Sequence, residues 1–168
     1  MKPAFLIGYG CDDHRIEQMQ DNLTNIKPLI LGGVIVSNKY TPIAHSDGDA
    51  IYHAITNAIF LALGDRDIGV HFPDTDPKYK NINSSEMVMV ALKKMRDDNY
   101  SIGNISILIT AGKPQINEHI DNIKKNISML MKISTKYIGI GATSGEGMSA
   151  QGRGEGINVV ATVLLLSN

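Results

Sequence analysis

The sequence has a single cysteine, no tryptophan and almost no net charge. One cysteine excludes an internal disulfide framework and suits a reducing compartment. A formal charge of −1 at pH 7 gives no basic surface for nucleic acid, and no apolar run approaches the roughly 18 residues that a membrane span needs. We therefore expect neither nucleic acid nor membrane as a partner. No signal or transit peptide is recognisable, so we expect a bacterial cytoplasmic protein.

The composition that is present suits one domain with an ordinary core. Hydrophobic residues make up 43% of the chain, and the length is near the commonest domain size, so 1–168 is predicted to be a single domain. Apolar or alternating segments predict strands at 4–9, 105–109, 137–143 and 157–166, and a hairpin around two glycines at 28–36. The polar segments 15–27 and 65–82 are predicted to be connections.

Three segments have the apolar spacing of amphipathic helices, at 50–62, from about 84 and at 116–130. The predicted boundaries are Ser46 or Asp47 as the first N-cap, Gly64 after its last turn, and Ser84 or Ser85 at the start of the second helix. The order of elements predicts an α+β (two-layer α/β) fold. It would have a mixed, four-stranded-type sheet with helices on one face, plus a small hairpin.

Asp12 and His14 are the first candidate functional residues. On an extended segment, residues two apart point to the same side, and a carboxylate beside an imidazole is a pair of zinc-type ligands. Alone this pattern is weak, and an exposed polar turn is the alternative interpretation. Cys11 should point away from the pair, and we interpret it as a small core residue.

His53 could complete the metal site from the first helix. It follows Asp49 by four residues, so the two share a helix face and the carboxylate could bind the ring nitrogen that a metal leaves free. A lone helical histidine is more often structural. Here His14, His45 and His53 all lie among acidic residues, which favours a functional site.

Two loops carry further candidate residues. Asp67 precedes Ile68-Gly69, where a ligand could approach the backbone, whereas Asp74 and Asp76 also suit an ordinary turn. The glycine-rich segment 143–156 could turn backbone amides towards phosphates, or could be a flexible hairpin loop. It lacks the Gly-Lys-Ser/Thr ending of a P-loop.

Together these motifs resemble the 2-C-methyl-D-erythritol 2,4-cyclodiphosphate synthase family of non-mevalonate isoprenoid biosynthesis. The resemblance is carried by Ile-Gly-Tyr-Gly-Cys-Asp-Asp-His at 7–14, His-Ser-Asp-Gly-Asp at 45–49 with His53, Asp-Ile-Gly at 67–69, His-Phe-Pro-Asp-Thr-Asp at 71–76 and Gly-Arg-Gly-Glu-Gly at 152–156. The motifs follow the family's order across nearly the whole chain, and their combination is highly specific.

The resemblance implies a reaction and an assembly. The 2-phosphate of 4-diphosphocytidyl-2-C-methyl-D-erythritol 2-phosphate would attack the β-phosphorus, closing a cyclic diphosphate and releasing CMP. The enzyme, a phosphorus–oxygen lyase, would be a homotrimer packed through its sheets, with active sites between subunits. An isoprenoid diphosphate could bind on the trimer axis, near Arg153.

The resemblance also implies roles for individual residues. Asp12, His14 and His53 would hold zinc, and Glu146 would meet a second metal, magnesium or manganese, at the diphosphate. His45 and Ser144 would stabilise the transition state. The implied substrate-binding residues are Asp12, His14, His45, Ser46, Asp67, Ile68, Gly69, Phe72, Asp74, Asp76, Ala111, Pro114, Asn117, Ala142, Thr143, Ser144, Gly145, Glu146, Ala150 and Arg153. Residues 111–117, with Ala142, Thr143 and Ser144, would form the cytidine pocket of the adjacent subunit.

Two other functions remain open from the residues themselves. A zinc-dependent phosphohydrolase would use metal-bound water on a nucleotide-linked substrate, but it needs a general base, for which only Glu146 is available. A non-enzymatic, metal-stabilised trimer could instead bind nucleotides or prenyl diphosphates. The products formed from the cytidylyl substrate would separate the three functions.

Overall fold

A computed structural model describes residues 2–20 and 26–168. Its strands are β1 (Phe5–Gln18), β2 (Leu29–Leu31), β3 (Val34–Ser37), β4 (Tyr40–Ile43), β5 (Tyr100–Thr110), β6 (Ile138–Thr143) and β7 (Gly156–Ser167). Its helices are α1 (Ala50–Ala62), α2 (Ile68–His71), α3 (Ser84–Asp97) and α4 (Ile120–Met131), with short 3-10 turns at Pro77–Tyr79, Asn117–His119, Thr135–Tyr137 and Gly145–Gly147. In the part of the chain that is described, no helix is long and apolar enough to cross a membrane.

The main sheet is mixed and has the strand order β4-β1-β7-β5-β6. Among the described strands, only β5 and β6 run parallel to each other, and β2 and β3 form a separate hairpin. The helices cover one face, where the alternate residues of β5 and β7 are buried. The predicted α+β class, the single layer of helices and the glycine hairpin are confirmed.

In residues 2–20 and 26–168 the main sheet has five strands, one more than predicted. The additional strand β4 pairs with the end of β1 and contains Pro42, a residue that removes a backbone donor and is tolerated only at sheet edges or bulges. The polar segment after His14 stays in the sheet, because β1 continues to Gln18 and pairs there with β4. Of the predicted connection 15–27, residues 21–25 lie outside the described part.

The first helix is capped by Asp49, so the prediction of Ser46 or Asp47 was wrong. The Asp49 carboxylate accepts hydrogen bonds from the N–H groups of Ile51 and Tyr52, as an N-cap does. Gly64 follows the end of the helix with φ +71°, as predicted. The second long helix begins at Ser84, as expected.

Two glycines allow α1 to lie unusually close to the sheet. A Cβ atom built on Gly8 would be 1.8 Å from the carbonyl oxygen of Ala58, and one on Gly10 would be 2.0 Å from that of Ala54. Real side chains do not fit in such gaps. The Gly-Tyr-Gly segment of β1 is therefore a packing surface for α1, and this contact sets the distance between the two elements that carry the candidate metal ligands.

Candidate active site

Three candidate ligands converge between β1 and α1. Asp12 and His14 point to the helix-covered side of β1, and their partners on the neighbouring strand β7 are Val159 and Ile157. His53 points from α1 towards β1. The Asp12 Oδ2 atom lies 3.2 Å from His14 Nε2 and 3.1 Å from His53 Nδ1. One ligand atom from each residue falls within 4.8 Å of the others. The structure thus brings together the three residues that the sequence proposed as ligands.

The electrostatics of this triad fit a divalent cation. His14 Nε2 is buried and makes no hydrogen bond among the described residues, even though Asp12 lies beside it. Burial lowers the pKa of His14, against the opposing effect of the Asp12 charge. A neutral imidazole with a free nitrogen, next to a carboxylate, is the form that binds metal. A cation between these atoms would supply the missing partner of His14.

The Asp49 carboxylate does not bind the ring of His53, whose nitrogens contact Asp12, Ser46 and Ser84 instead, so that sequence interpretation was wrong. Its carboxylate accepts four backbone N–H bonds of 2.7–3.1 Å, two from the hairpin glycines and two from the first turn of α1. Burial raises its pKa to about 6, although these N–H groups oppose the shift. Asp49 therefore joins the β2–β3 hairpin to the helix that carries His53.

A cavity of about 150 Å³ opens beside the triad. It is lined by His14, Ala44, His45, Ser46, His53, Ile68, Phe72, Asp74, Tyr79 and Met87. Six of the predicted substrate or catalytic residues lie there with the metal ligand His53, whereas Ala44, Tyr79 and Met87 were not predicted. The cavity thus combines apolar walls with three imidazoles and one carboxylate.

The loop after α1 forms one wall of this cavity. His71 anchors the loop: its ring stacks on Phe60 of α1 with ring centroids 4.1 Å apart, and its Nε2 lies 3.2 Å from Asp65 Oδ2. The short helix α2 is thereby held against α1. This places Ile68 and Phe72 in the cavity wall.

The predicted carboxylates of this loop have different surroundings. Asp74 lines the cavity. Asp67 is exposed and caps α2 by accepting from Gly69 N at 2.9 Å. Asp76 accepts from the N–H of Lys78 and forms an ion pair with its ammonium at 2.9 Å. Asp67 and Asp76 thus shape the loop in this chain, and their binding of substrate hydroxyls stays a prediction.

Lys27 is a residue at this site that sequence reasoning missed. Its ammonium donates to the carbonyl of Ala44 at 2.8 Å and to that of Ser46. The two carbonyls flank His45, so Lys27 fixes the turn that presents this imidazole to the cavity. Partial burial lowers the pKa of Lys27, against the favourable charge of Asp47. The contacts span 17 and 19 residues, and no local pattern marks them.

Replacing Lys27 by methionine should loosen this turn. Met keeps an apolar stem but removes both charge-assisted hydrogen bonds, so we expect the free energy of unfolding to fall by about 2 kcal/mol and kcat/KM to fall as well. Urea denaturation and steady-state kinetics measure the two effects. The exposed Lys39 of the β3–β4 turn provides the control Lys39→Met, and equal unfolding midpoints for the two variants would contradict the role of Lys27.

A second cavity, of about 280 Å³, lies at the carboxyl ends of the parallel strands β5 and β6. It is lined by Ala111, Gly112, Pro114, Gln115, Ile116, Asn117, Ala142, Thr143 and Ser144. These are the residues that the resemblance assigns to a cytidine pocket. Ser144 lies in this second cavity, whereas His45 lies in the first, so the two predicted catalytic residues line different cavities of one chain.

The glycine-rich segment follows β6. Glu146, the predicted ligand of a second metal, is exposed, has φ +51° and lies 3.5 Å from the Ser144 hydroxyl. Gly145 has φ +67° and lies beside both residues. Among the described residues, Glu146 does not belong to the candidate metal-binding group of Asp12, His14 and His53.

The rest of this segment is tied back to β1. The Asp13 carboxylate accepts from Gln151 Nε2 at 2.9 Å, and Ala150 borders a cavity of about 310 Å³ that also touches His14. Arg153 is exposed and pairs with Glu155, with Nε 2.8 Å from Oε1. Asp13 therefore orders the loop on the side of β1 opposite the metal ligands.

The fold and the triad define an α+β protein whose candidate metal site lies between a sheet and a helix. The chain matches the model of the YgbB family over residues 5–166 and belongs to that family. It is 39% identical over 164 residues to a 2-C-methyl-D-erythritol 2,4-cyclodiphosphate synthase from Leptospira borgpetersenii, which covers 98% of this chain and 99% of the relative.

Solved structures give the same relationship. A Plasmodium falciparum IspF in complex with CDP superimposes with a TM-score of 0.85 and 34% identity, over 100% of both chains. The bifunctional IspDF from Campylobacter jejuni has a TM-score of 0.89 and 34% identity, over 98% of this chain and 42% of the other. The likeness thus covers the whole fold.

Proposed function

We propose that this chain converts 4-diphosphocytidyl-2-C-methyl-D-erythritol 2-phosphate to 2-C-methyl-D-erythritol 2,4-cyclodiphosphate and CMP, in isoprenoid biosynthesis. The observation that carries the proposal is the triad of Asp12, His14 and His53, which opens on a cavity of small-molecule size. Relatives across the full length bear the synthase name. The chain is accordingly a lyase that acts on a phosphorus–oxygen bond.

The reaction needs no external nucleophile. An oxygen of the 2-phosphate forms a bond to the β-phosphorus while the bond from that phosphorus to the bridging oxygen breaks, and the electron pair leaves with CMP. Joining both groups in one molecule supplies proximity, and phosphoryl transfer depends mainly on positioning and on neutralising charge. A divalent cation at the triad, zinc in our proposal, would supply part of that neutralisation when bound.

The chain's own residues position the substrate in this proposal. His45 donates to the 2-phosphate from the turn that Lys27 holds, and the neighbouring Ser46 lies at the same phosphate. Ile68 and Phe72 exclude water along the methylerythritol carbons, while Asp74 accepts from a hydroxyl group. Each of these residues lines the cavity beside the triad except Lys27, which acts through the backbone of the turn.

We propose that the second cavity binds the cytidine. The relative from Plasmodium falciparum was solved with CDP, and the cavity of about 280 Å³ has backbone and hydroxyl groups suited to a pyrimidine ring and ribose. Ser144 and Glu146 follow this cavity directly, so they would meet the diphosphate and a magnesium or manganese ion. The nucleotide and the metal triad must then come together across two copies of the chain.

The proposed assembly is a trimer packed through its sheets. The face of β1 opposite the helices exposes Phe5, Ile7 and Tyr9, with 58%, 65% and 59% of their surface accessible. Leu108 of β5 and Leu166 of β7 are also exposed, and such a contiguous apolar face favours burial in an assembly. An isoprenoid diphosphate beside Arg153 and a bacterial cytoplasmic location stay predictions.

Product analysis tests the proposed function. Purified protein is incubated with the cytidylyl substrate, zinc and magnesium in ¹⁸O-labelled water, and the masses of the products are measured by mass spectrometry. We expect CMP and the cyclic diphosphate, both without solvent oxygen. A linear, ¹⁸O-labelled phosphate would instead identify the phosphohydrolase, and binding without turnover would identify a nucleotide-binding module.

A further inference from the structure

The ring nitrogen of His53 that faces away from the triad lies against two buried hydroxyl groups. Ser84 Oγ is 2.8 Å from His53 Nε2, and Ser46 Oγ is 3.1 Å from it. Ser84 is the first residue of α3 and is fully buried. A packed serine can thus control the ring of His53 from a helix that begins 31 residues later in the chain.

Asp47 sets the direction of the hydrogen bond between Ser84 and His53. The backbone N–H of Ser84 donates to Asp47 Oδ2 at 3.0 Å, and that of Asp49 donates to Asp47 Oδ1 at 3.2 Å. The Ser84 hydroxyl also contacts Asp47 Oδ1. An ionised carboxylate can only accept, and a serine hydroxyl has a single proton to give. The Ser84 proton therefore goes to Asp47, which leaves Ser84 Oγ to accept from His53.

We infer that Ser84, oriented by Asp47, is a positioning residue that holds His53 as its Nε2–H tautomer when a cation takes the place of a proton between Nδ1 and Asp12. The unprotonated nitrogen is then Nδ1, the atom that lies 3.1 Å from Asp12 Oδ2 and faces the cation site. Metal-binding histidines usually donate their other ring N–H to a fixed acceptor, which sets the tautomer and the ring orientation. Of the proposed function, the inference depends only on the triad being a metal site.

Removing the Ser84 hydroxyl should weaken metal binding. In Ser84→Ala the remaining partner of Nε2 is the Ser46 hydroxyl, whose own direction Asp47 does not set, so the Nε2–H of His53 loses its fixed acceptor. Loss of such a second partner typically weakens metal binding about 10- to 100-fold. The matched control is Ser85→Ala, one residue along the same helix and only partly buried.

The experiment measures the protonation of the His53 ring and the zinc affinity of the site. Long-range ¹H–¹⁵N NMR of the zinc-bound protein identifies the protonated ring nitrogen, and competition with a chromophoric chelator gives the zinc dissociation constant. We expect a protonated Nε2 and equal zinc affinity in the wild type and in Ser85→Ala. For Ser84→Ala we expect faster exchange of the Nε2 proton with solvent and a zinc dissociation constant raised at least tenfold.

A second variant keeps the inference testable if Ser84→Ala perturbs the fold. In Asp47→Asn the amide nitrogen offers a donor to Ser84 Oγ, so the serine proton turns to His53 Nε2, disfavours the metal-binding tautomer and should weaken zinc binding as well. Protonation of Nδ1 in the zinc-bound wild type would overturn the inference, as would unchanged zinc dissociation constants in both variants. Neither measurement uses the cytidylyl substrate. Failure of this inference would therefore be seen in the zinc-binding measurements, whereas failure of the proposed function would be seen as missing cyclase activity with normal zinc binding.

Discussion

His53→Ala is expected to abolish tight zinc binding and to lower turnover about a thousandfold, because a catalytic metal contributes several kcal/mol and each 1.4 kcal/mol is a factor of ten in rate. Asp12 and His14 alone leave a two-ligand site that holds the ion weakly. The apolar residues of α1 are unchanged by the substitution, so the helix should still pack on β1 and β7. Zinc content after gel filtration and the rate of CMP release measure the two effects.

The control for this variant is His119→Ala. His119 lies in the 3-10 turn before α4, 3.6 Å from Glu118, and it is not one of the three candidate ligands. We expect it to retain zinc and turnover. Wild-type zinc content in His53→Ala would refute the assignment of this ligand, and circular dichroism would show whether the fold persists.

The candidate metal triad could be predicted in part because the positions of its residues follow from local periods. Asp12 and His14 share a side since strand residues alternate, and both lie on the helix-covered side of β1. The same alternation shows why the core interpretation of Cys11 was wrong: this residue is out of phase with the buried positions and is exposed. The helical period of α1 predicts which side of the helix His53 faces, but it does not predict the distance from His53 to β1.

Sequence patterns could not predict the contacts between residues that are distant along the chain. The four-residue spacing of Asp49 and His53 suggested a contact, but the N-cap position aims the carboxylate at backbone N–H groups, including those of a hairpin 16 and 17 residues earlier. Lys27 and Ser84 reach the site only through tertiary packing. No periodicity or short motif relates either residue to His53.

The glycines of β1 form a pattern that is visible in the sequence, but the structural reason for it is visible only in the packing. Gly8-Tyr9-Gly10 lacks the third glycine of a dinucleotide-binding motif. In the structure Gly8 and Gly10 both lie beneath α1, against its carbonyl groups. The requirement is steric, since neither residue has a positive φ.

Gly10→Ala should therefore damage both the fold and the metal site. Its Cβ would lie 2.0 Å from the Ala54 carbonyl oxygen and 2.5 Å from the Ala58 nitrogen, and both are backbone atoms that move only if α1 moves. Overpacking of a core costs about 1–3 kcal/mol and occasionally more, and we expect a value of about 3 kcal/mol or above. Because His53 precedes Ala54, the same displacement should carry its ring away from Asp12 and weaken zinc binding.

Gly139→Ala provides the matched control within the same sheet. Its Cβ would come no closer than 3.9 Å to another atom, the nearest being the Ile105 carbonyl oxygen and the Ser106 hydroxyl, so the methyl group fits without movement. Urea unfolding and zinc competition should leave this variant close to wild type while Gly10→Ala loses in both. Equal unfolding free energies for the two variants would mean that α1 tolerates a wider gap, and that the close approach of β1 is not what sets the geometry of the triad.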